Sequence, residues 1–324
     1  MSQSYEYSVG SVRAREKHLL TNADIETMLS FKNTDSLVSF LRDKGYGEGN
    51  TVGEILRSSR QQTMEYLFSV VPDPSVFDVF FVTNDAHNIK SVIKGVLADT
   101  SYSQLFVEPC TIELETIETA VKENKYSLLP EEFSLACSKA YEVLAHTADA
   151  RLADAYIDSA SMLLQLKKAS QTGIDFLIDY FNTDIFYRNV KIALRACLTG
   201  APADYYEIAL CGDVPLFNKK EVTTAALKGM DSLLSYLSVK SFYKCSEAIE
   251  QYRVSPAGFE RYVENLLMRL TKESCKVASS GAYAAIGFYL ARLTEEKTVH
   301  IIAVGINTNA DPSVTRERLR EIYG

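Results

Sequence analysis

The chain has 324 residues, and a hydrophobic content of 47% is sufficient for packed cores in two or three small domains. It carries 42 acidic against 34 basic side chains, a formal net charge of −8, and has no Lys/Arg cluster interleaved with aromatic residues. Because an acidic surface repels phosphate backbones, this balance argues against nucleic acid as a partner.

Cysteine and histidine spacing predicts neither a metal centre nor a disulfide framework. The six cysteines stand far apart without a C-x-x-C pair, and the four histidines form no H-E-x-x-H motif. We expect reduced cysteines packed in a core, as in a cytoplasmic protein, and no cofactor.

The sequence predicts no direct membrane insertion. The N-terminus lacks the basic and apolar regions of a signal peptide. The longest uncharged stretch, Val277 to Ala291, is shorter than the ~20 apolar residues of a spanning helix. Any association with a membrane is therefore expected to depend on a partner.

Helix is predicted nearly throughout, because glycine and proline are sparse and no Asn-Gly or Asp-Gly dipeptide marks a hairpin. In chain order, Thr21 and Thr34 are predicted to cap short helices, and Pro130 and Pro256 to begin longer ones. The apolar spacing predicts a long amphipathic helix over 77–97, and another over 174–198 that Gly200 stops.

An eight-residue block recurs at residues 88, 189 and 298, roughly a hundred residues apart, which indicates one supersecondary unit used three times. The predicted units are 1–107, 108–213 and 214–324. Asn and Lys open the first two copies, whereas Thr298 and His300 replace them in the third. An acid precedes each copy: Asp85, Asp184 and Glu295. The expected hydrogen-bonding struts between neighbouring helices are Asn88, Lys90, Asn189 and Lys191. His300 belongs to the third copy of the motif, where the two replacements argue against the same hydrogen-bonding role.

No motif for catalysis is present: the P-loop, the G-x-G-x-x-G turn and the G-x-S-x-G elbow are all missing from the sequence. Asp179 and Asp184 are the strongest acids for a metal site, but the segment has no histidine, so capping or salt-bridge roles are favoured. A threefold repeat also suits a scaffold better than an enzyme, since catalysis needs one asymmetric constellation.

A dense charged run near the N-terminus includes Arg13, Arg15, Glu16 and Lys17. The simpler interpretation is a helix face that is solvated or paired with a partner. An anion site is the alternative, although no glycine-rich turn closely precedes the run.

Several segments together resemble the C subunits of V/A-type ATPases, which are called d in eukaryotic vacuolar enzymes. They are Val9 to Leu20, Ile25 to Leu29, Leu41 to Tyr46, Asp85 to Lys90, Asp184 with 189–191 and 195–196, Gly281 to Leu290, and Glu295 to Leu319. The resemblance covers nearly the whole chain. Within its N-terminal part, Arg13, Arg15 and Glu16 match the motif of that family.

This resemblance implies a non-catalytic funnel of three helical units about a pseudo-threefold axis. It also implies a peripheral position on the cytoplasmic side of the membrane, as a socket between the rotor shaft and the proteolipid ring of an ATP-linked proton or sodium transporter. Two other classes stay open on the residues alone: a helical-repeat binding scaffold unrelated to rotary motors, and a helical enzyme without a recognisable motif.

Overall fold

The computed structural model describes residues 4–324, and within them only helices, turns and irregular segments occur. The prediction of an all-α protein is confirmed. The α-helices are α1 (Tyr5–Glu16), α2 (Asn22–Leu29), α3 (Thr34–Asp43), α4 (Val52–Val70), α5 (Asp78–Ala98), α6 (Leu114–Lys122), α7 (Glu131–Thr147), α8 (Ala150–Thr172), α9 (Asp175–Leu198), α10 (Ala203–Ala209), α11 (Lys219–Leu227), α12 (Met230–Ser238), α13 (Cys245–Val254), α14 (Pro256–Thr271), α15 (Tyr283–Asn307) and α16 (Pro312–Glu317).

The chain divides into two compact units. The terminal unit contains the described residues up to Ser75 together with Glu250–Gly324, and the central unit is Val76–Ile249. The division into three repeats and the funnel symmetry stay predictions.

The core of the central unit contains apolar faces of α5, α6, α7 and α8. Ile89, Val92, Phe133 and Ile157 are among its fully or almost fully buried side chains. On α5 the spacing of three between Ile89 and Val92 puts both on one face, as the helical periodicity predicts.

In the terminal unit, α2 and α3 pack against the second half of α15. Met28, Leu41 and Val299 are completely buried there. A core of this kind brings together side chains from both ends of the sequence.

Most predicted helix boundaries agree with the structure. Thr21 forms a capping box with Asp24, and the predicted helix over 174–198 is α9. The expectation for Thr34 is wrong: Asn33 is the N-cap, and its side chain accepts a hydrogen bond from the backbone N–H of Ser36. Asn caps a helix at least as well as Thr, because its side-chain carbonyl oxygen reaches the same backbone N–H groups.

Among the helices of residues 4–324, none is both long enough and apolar enough to cross a membrane.

Candidate functional site

The first repeat block lies on α5, where Asn88 holds an irregular segment that follows the helix. The Asn88 side chain donates from Nδ2 to the carbonyl of Val107 (3.0 Å) and accepts from the Val107 N–H at Oδ1 (2.9 Å). Asn88 is completely buried. One carboxamide therefore satisfies both backbone groups of a residue that lies in neither helix nor sheet.

Three neighbours of Asn88 hold the same segment. Asp85 accepts hydrogen bonds from the backbone N–H groups of Thr111 (2.7 Å) and Ile112 (3.1 Å). Asn84 donates to the carbonyl of Pro109, and His87 contacts the carbonyl of Leu105. Together with Asn88, these side chains fix residues 105–112 ahead of α6.

The Asp85 carboxyl is fully buried, and this burial raises its pKa although the hydrogen bonds from Thr111 and Ile112 oppose the shift. Both carboxylate oxygens accept hydrogen bonds, Oδ1 from the two backbone N–H groups and Oδ2 from the Thr111 hydroxyl (2.6 Å).

On α9 the amide half of this arrangement recurs. Asn189 donates to the carbonyl of Cys211 (2.7 Å) and accepts from the N–H of Cys211 (2.9 Å). Three residues earlier, where α5 has Asp85, α9 has Phe186, whose ring packs edge-on against Phe217. The segment ahead of α11 is thus held by an amide and an aromatic contact.

On α15 the carboxylate half recurs. Glu295, three residues before Thr298, accepts a short hydrogen bond from the backbone N–H of Leu20 and another from the Tyr46 hydroxyl (2.6 Å). Arg292 pairs with the same carboxylate at 2.9 Å. Glu295 is 2% exposed, and burial raises its pKa despite these partners. Thr298 is completely buried, and no partner for its hydroxyl is found in residues 4–324.

The three block-bearing helices also end alike. In each, the carbonyl of the eighth block residue accepts a hydrogen bond from the N–H five residues further on, and the residue before that donor has a positive φ. This is the geometry of a Schellman-type helix end. The accepting and donating residues are Gly95 with Thr100, Ala196 with Ala201, and Gly305 with Ala310, and the positive-φ residues are Asp99, Gly200 and Asn309.

The predicted asparagine struts therefore contact irregular segments, whereas helix-to-helix contacts were expected. The reason is that helical backbone groups are already paired, so an amide that needs both a donor and an acceptor finds them on an extended segment. Lys90 does connect two helices, through an ion pair with Asp158 on α8 (2.6 Å). Lys191 is half-buried on α9, and His300 is exposed on α15.

The N-terminal motif separates into two roles. Arg13 pairs with Glu16 (2.7 Å) and donates to the carbonyls of Cys275 (2.6 Å) and Ala278 (2.9 Å), so it fastens α1 to the turn after α14. Arg15 is exposed, and its guanidinium lies 3.9 Å from the centre of the Tyr66 ring.

Asp184 forms an ion pair with Arg188 at 2.6 Å, the kind of role favoured by its sequence context. Arg188 also donates to Gln165 of α8 (2.8 Å), whose side-chain amide reaches the carbonyl of Val79 on α5. Nothing in the sequence marked Gln165, because its α5 partner Val79 is 86 residues away and shares no motif with it. In residues 4–324 no group of three or more His, Cys, Asp or Glu side chains is placed to hold a metal ion.

Comparison with known proteins matches nearly the whole chain to one protein family. The model of the family described as ATP synthase (C/AC39) subunit matches residues 8–318. The C subunit of the V-type sodium ATPase of Enterococcus hirae is 19% identical, over 96% of this chain and 97% of its own length. The C subunit of the A-type ATP synthase of Methanocaldococcus jannaschii is 22% identical, over 97% of this chain and 86% of its own.

A third relative, the C subunit of the A-type ATP synthase of Pyrococcus horikoshii, is 23% identical over 99% of this chain and 90% of its own length. Because the family match spans most of the sequence and these relatives align almost end to end, the chain belongs to the ATP synthase (C/AC39) subunit family, the C subunits of V/A-type ATPases.

Proposed function

We propose that this chain is a non-catalytic central-stalk subunit of a V/A-type rotary ATPase. It acts as a socket that joins the rotor shaft to the membrane ring of proteolipid subunits on the cytoplasmic face, and it passes rotation between ATP turnover and proton or sodium transport. Membership of the C-subunit family carries this proposal.

Three buried side chains act as anchors for irregular segments and support a mechanical role: Asn88 on α5, Asn189 on α9 and Glu295 on α15. A socket transmits torque only if its irregular segments stay fixed under load. Asn88, Asn189 and Glu295 fix such segments with buried hydrogen bonds, and a buried polar group is expensive to unpair. Their polar atoms are engaged with backbone groups and, at Glu295, also with the side chains of Tyr46 and Arg292, which suits stiffness rather than substrate turnover.

The proposal is tested with a purified complex from which this chain has been removed. ATP hydrolysis by the head and ATP-driven ion uptake into vesicles are measured before and after the wild-type chain is added back. We expect hydrolysis to persist without the chain, whereas ion uptake disappears and returns on add-back. Ion uptake at the normal ratio of ions to ATP without the chain would overturn the proposal.

A matched pair of proline variants separates socket integrity from the mere presence of the chain. Ala193→Pro lies inside α9, where proline removes a backbone hydrogen bond and costs ~3 kcal/mol or more. Ala203→Pro lies at the exposed first position of α10, where proline is tolerated. We expect A203P to restore ion uptake and A193P to fail.

Membrane attachment gives an independent test. The isolated chain is expected to stay in solution with protein-free anionic vesicles and to bind vesicles that contain the proteolipid ring. Binding to the protein-free vesicles would contradict a ring-dependent attachment.

A further inference from the structure

A basic cleft of about 410 Å³ opens in the terminal unit, within the roughly 300–1,000 Å³ range of small ligand pockets. Its polar lining combines basic side chains with the neutral Ser59, Gln62 and Thr63, and no Asp or Glu of residues 4–324 lines it. The basic side chains that line it are Arg15, His18, Lys44 and Arg292.

Most of this positive charge is already compensated. Lys44 is paired with Asp24 (2.6 Å) and Arg292 with the buried Glu295 (2.9 Å). Arg15 forms no ion pair with any carboxylate in the described part of the chain, and stacks on the Tyr66 ring instead. Among the arginine and lysine side chains that line the cleft, Arg15 is therefore the one whose positive charge has no carboxylate partner in residues 4–324.

Stacking also orients Arg15. Its guanidinium carbon lies 3.9 Å from the centre of the Tyr66 ring, a contact that uses the face of the guanidinium and none of its N–H donors, and a carboxylate binds two such donors in bidentate fashion. The Tyr66 hydroxyl is bonded to Ser11 (2.8 Å), and the Tyr66 ring packs edge-on against Phe288 in the wall of the cleft. Ser11 and Phe288 therefore hold the Tyr66 ring in place beside Arg15.

We propose that this cleft binds the side-chain carboxylate of an acidic segment presented by a partner chain of the rotary complex. One arginine charge without a carboxylate partner and a planar donor pair match a monoanionic carboxylate better than a phosphate dianion. The buried Leu19 and Phe288 give the cleft an apolar wall for the methylene groups of a glutamate. This assignment rests on the proposed function, which supplies the partner.

The first test uses the isolated chain with glutarate and inorganic phosphate as probes. The side-chain Nε–Hε resonances of the arginines are followed by NMR in the wild type, Arg15→Gln, Arg15→Lys and the control Arg57→Gln. Arg57 is an arginine on α4 that does not line the cleft. We expect the Arg15 resonance to shift along a saturating curve with glutarate.

A charge-assisted hydrogen bond contributes ~1.5–3 kcal/mol, so R15Q should raise the half-saturating glutarate concentration, read at Arg292, at least roughly tenfold. R15K should give a smaller loss, and R57Q should change it less than about twofold. A shift that never saturates, or an equal effect of R57Q, overturns the proposal. Tighter binding of phosphate than of glutarate overturns the carboxylate assignment.

The second test uses the depleted complex with the chain added back. Retention of each variant on the head-and-shaft assembly is measured as salt is raised. R15Q is expected to dissociate at lower salt than the wild type and R57Q. If R15Q is retained as well as the wild type, the cleft proposal fails while the socket role stands. If the wild type itself restores no ion uptake, the socket role fails, whatever the NMR titration gives.

Discussion

The anchors on α9 and α15 both hold irregular segments, but one is a neutral amide and the other a carboxylate. On α9 a neutral amide, Asn189, contacts the backbone of Cys211 in both directions, and the position three residues earlier is apolar. On α15 the amide position is Thr298, which makes no hydrogen bond through its hydroxyl in residues 4–324, and Glu295 provides the anchor.

This difference shows which partners a buried amide and a buried carboxylate each require. An amide is neutral, so Asn189 needs only the two backbone groups that it contacts. A buried carboxylate carries a desolvation penalty, and Glu295 is accompanied by Arg292 and Tyr46, which partly offset it. α5 uses both devices, with Asp85 and Asn88 on one helix.

The largest expected effect is at Glu295. Glu295→Ala leaves Arg292 without its carboxylate and Leu20 without its acceptor, and breaking a buried pair in this way costs ~3–5 kcal/mol of the free energy of unfolding. Urea unfolding measured by circular dichroism tests this, and the Leu20 amide should exchange faster with solvent. Glu26→Ala, which removes an exposed ion pair, is the control and should leave stability nearly unchanged. Equal behaviour of the two variants would refute the anchoring role.

The two asparagines form the next test. Asn189→Ala leaves both backbone groups of Cys211 unpaired, and we expect it to lower the free energy of unfolding by about 2–4 kcal/mol. Asn88→Ala removes the same pair of bonds, but Asp85 still holds the segment, so its cost should be smaller, about 1–3 kcal/mol. Hydrogen exchange at Cys211 and Val107 reports each site locally. If N88A is the more destabilising variant, the carboxylate of Asp85 does not help to hold the segment in place.

A pH experiment compares the charged anchors with neutral ones. Burial raises the folded-state pKa of Asp85 and Glu295 above their ordinary values of about 4, so the folded chain binds these protons more tightly than the unfolded chain. Their contribution to stability is present below the unfolded pKa and is lost as pH rises through the folded pKa.

Asp85→Asn and Glu295→Gln should each remove part of that loss. The difference in free energy of unfolding between variant and wild type should therefore shift in favour of the variant as pH rises above about 4. Asn189→Asp provides the opposite case, because it places a titratable carboxylate where the wild type has a neutral amide, and a carboxylate cannot donate to the Cys211 carbonyl. Its stability relative to the wild type should therefore fall as pH rises. A difference that does not change with pH would mean that neither carboxyl titrates abnormally.

The smallest expected effect is at Thr298. Its buried hydroxyl has no partner in the described chain, so Thr298→Val should stabilise the protein by about 1 kcal/mol. Thr315→Val offers a comparison in the same unit, at a buried threonine whose side chain occupies the space that a Cβ on Gly305 would need. A clear loss of stability in T298V would indicate that the hydroxyl is paired after all.

The sequence by itself determined the helical class of the protein and most of the predicted helix ends. Amphipathic spacing, capping and positive φ act within a few residues, so they can be predicted from sequence. They predicted the helix over 174–198, the capping residue Thr21 and the helix end at Gly200. The block itself was also visible, and its two asparagines do the same work in α5 and α9.

Only the tertiary structure decided what the acids and arginines contact. The sequence grouped Asp184 with Asp85 and Glu295 as the acid ahead of each block, but Asp184 pairs within its own helix while Glu295 binds Leu20 from the other end of the chain. Arg13 likewise finds its carbonyls more than 260 residues away. Such contacts depend on which segments the packed core brings together, and no local spacing encodes that choice.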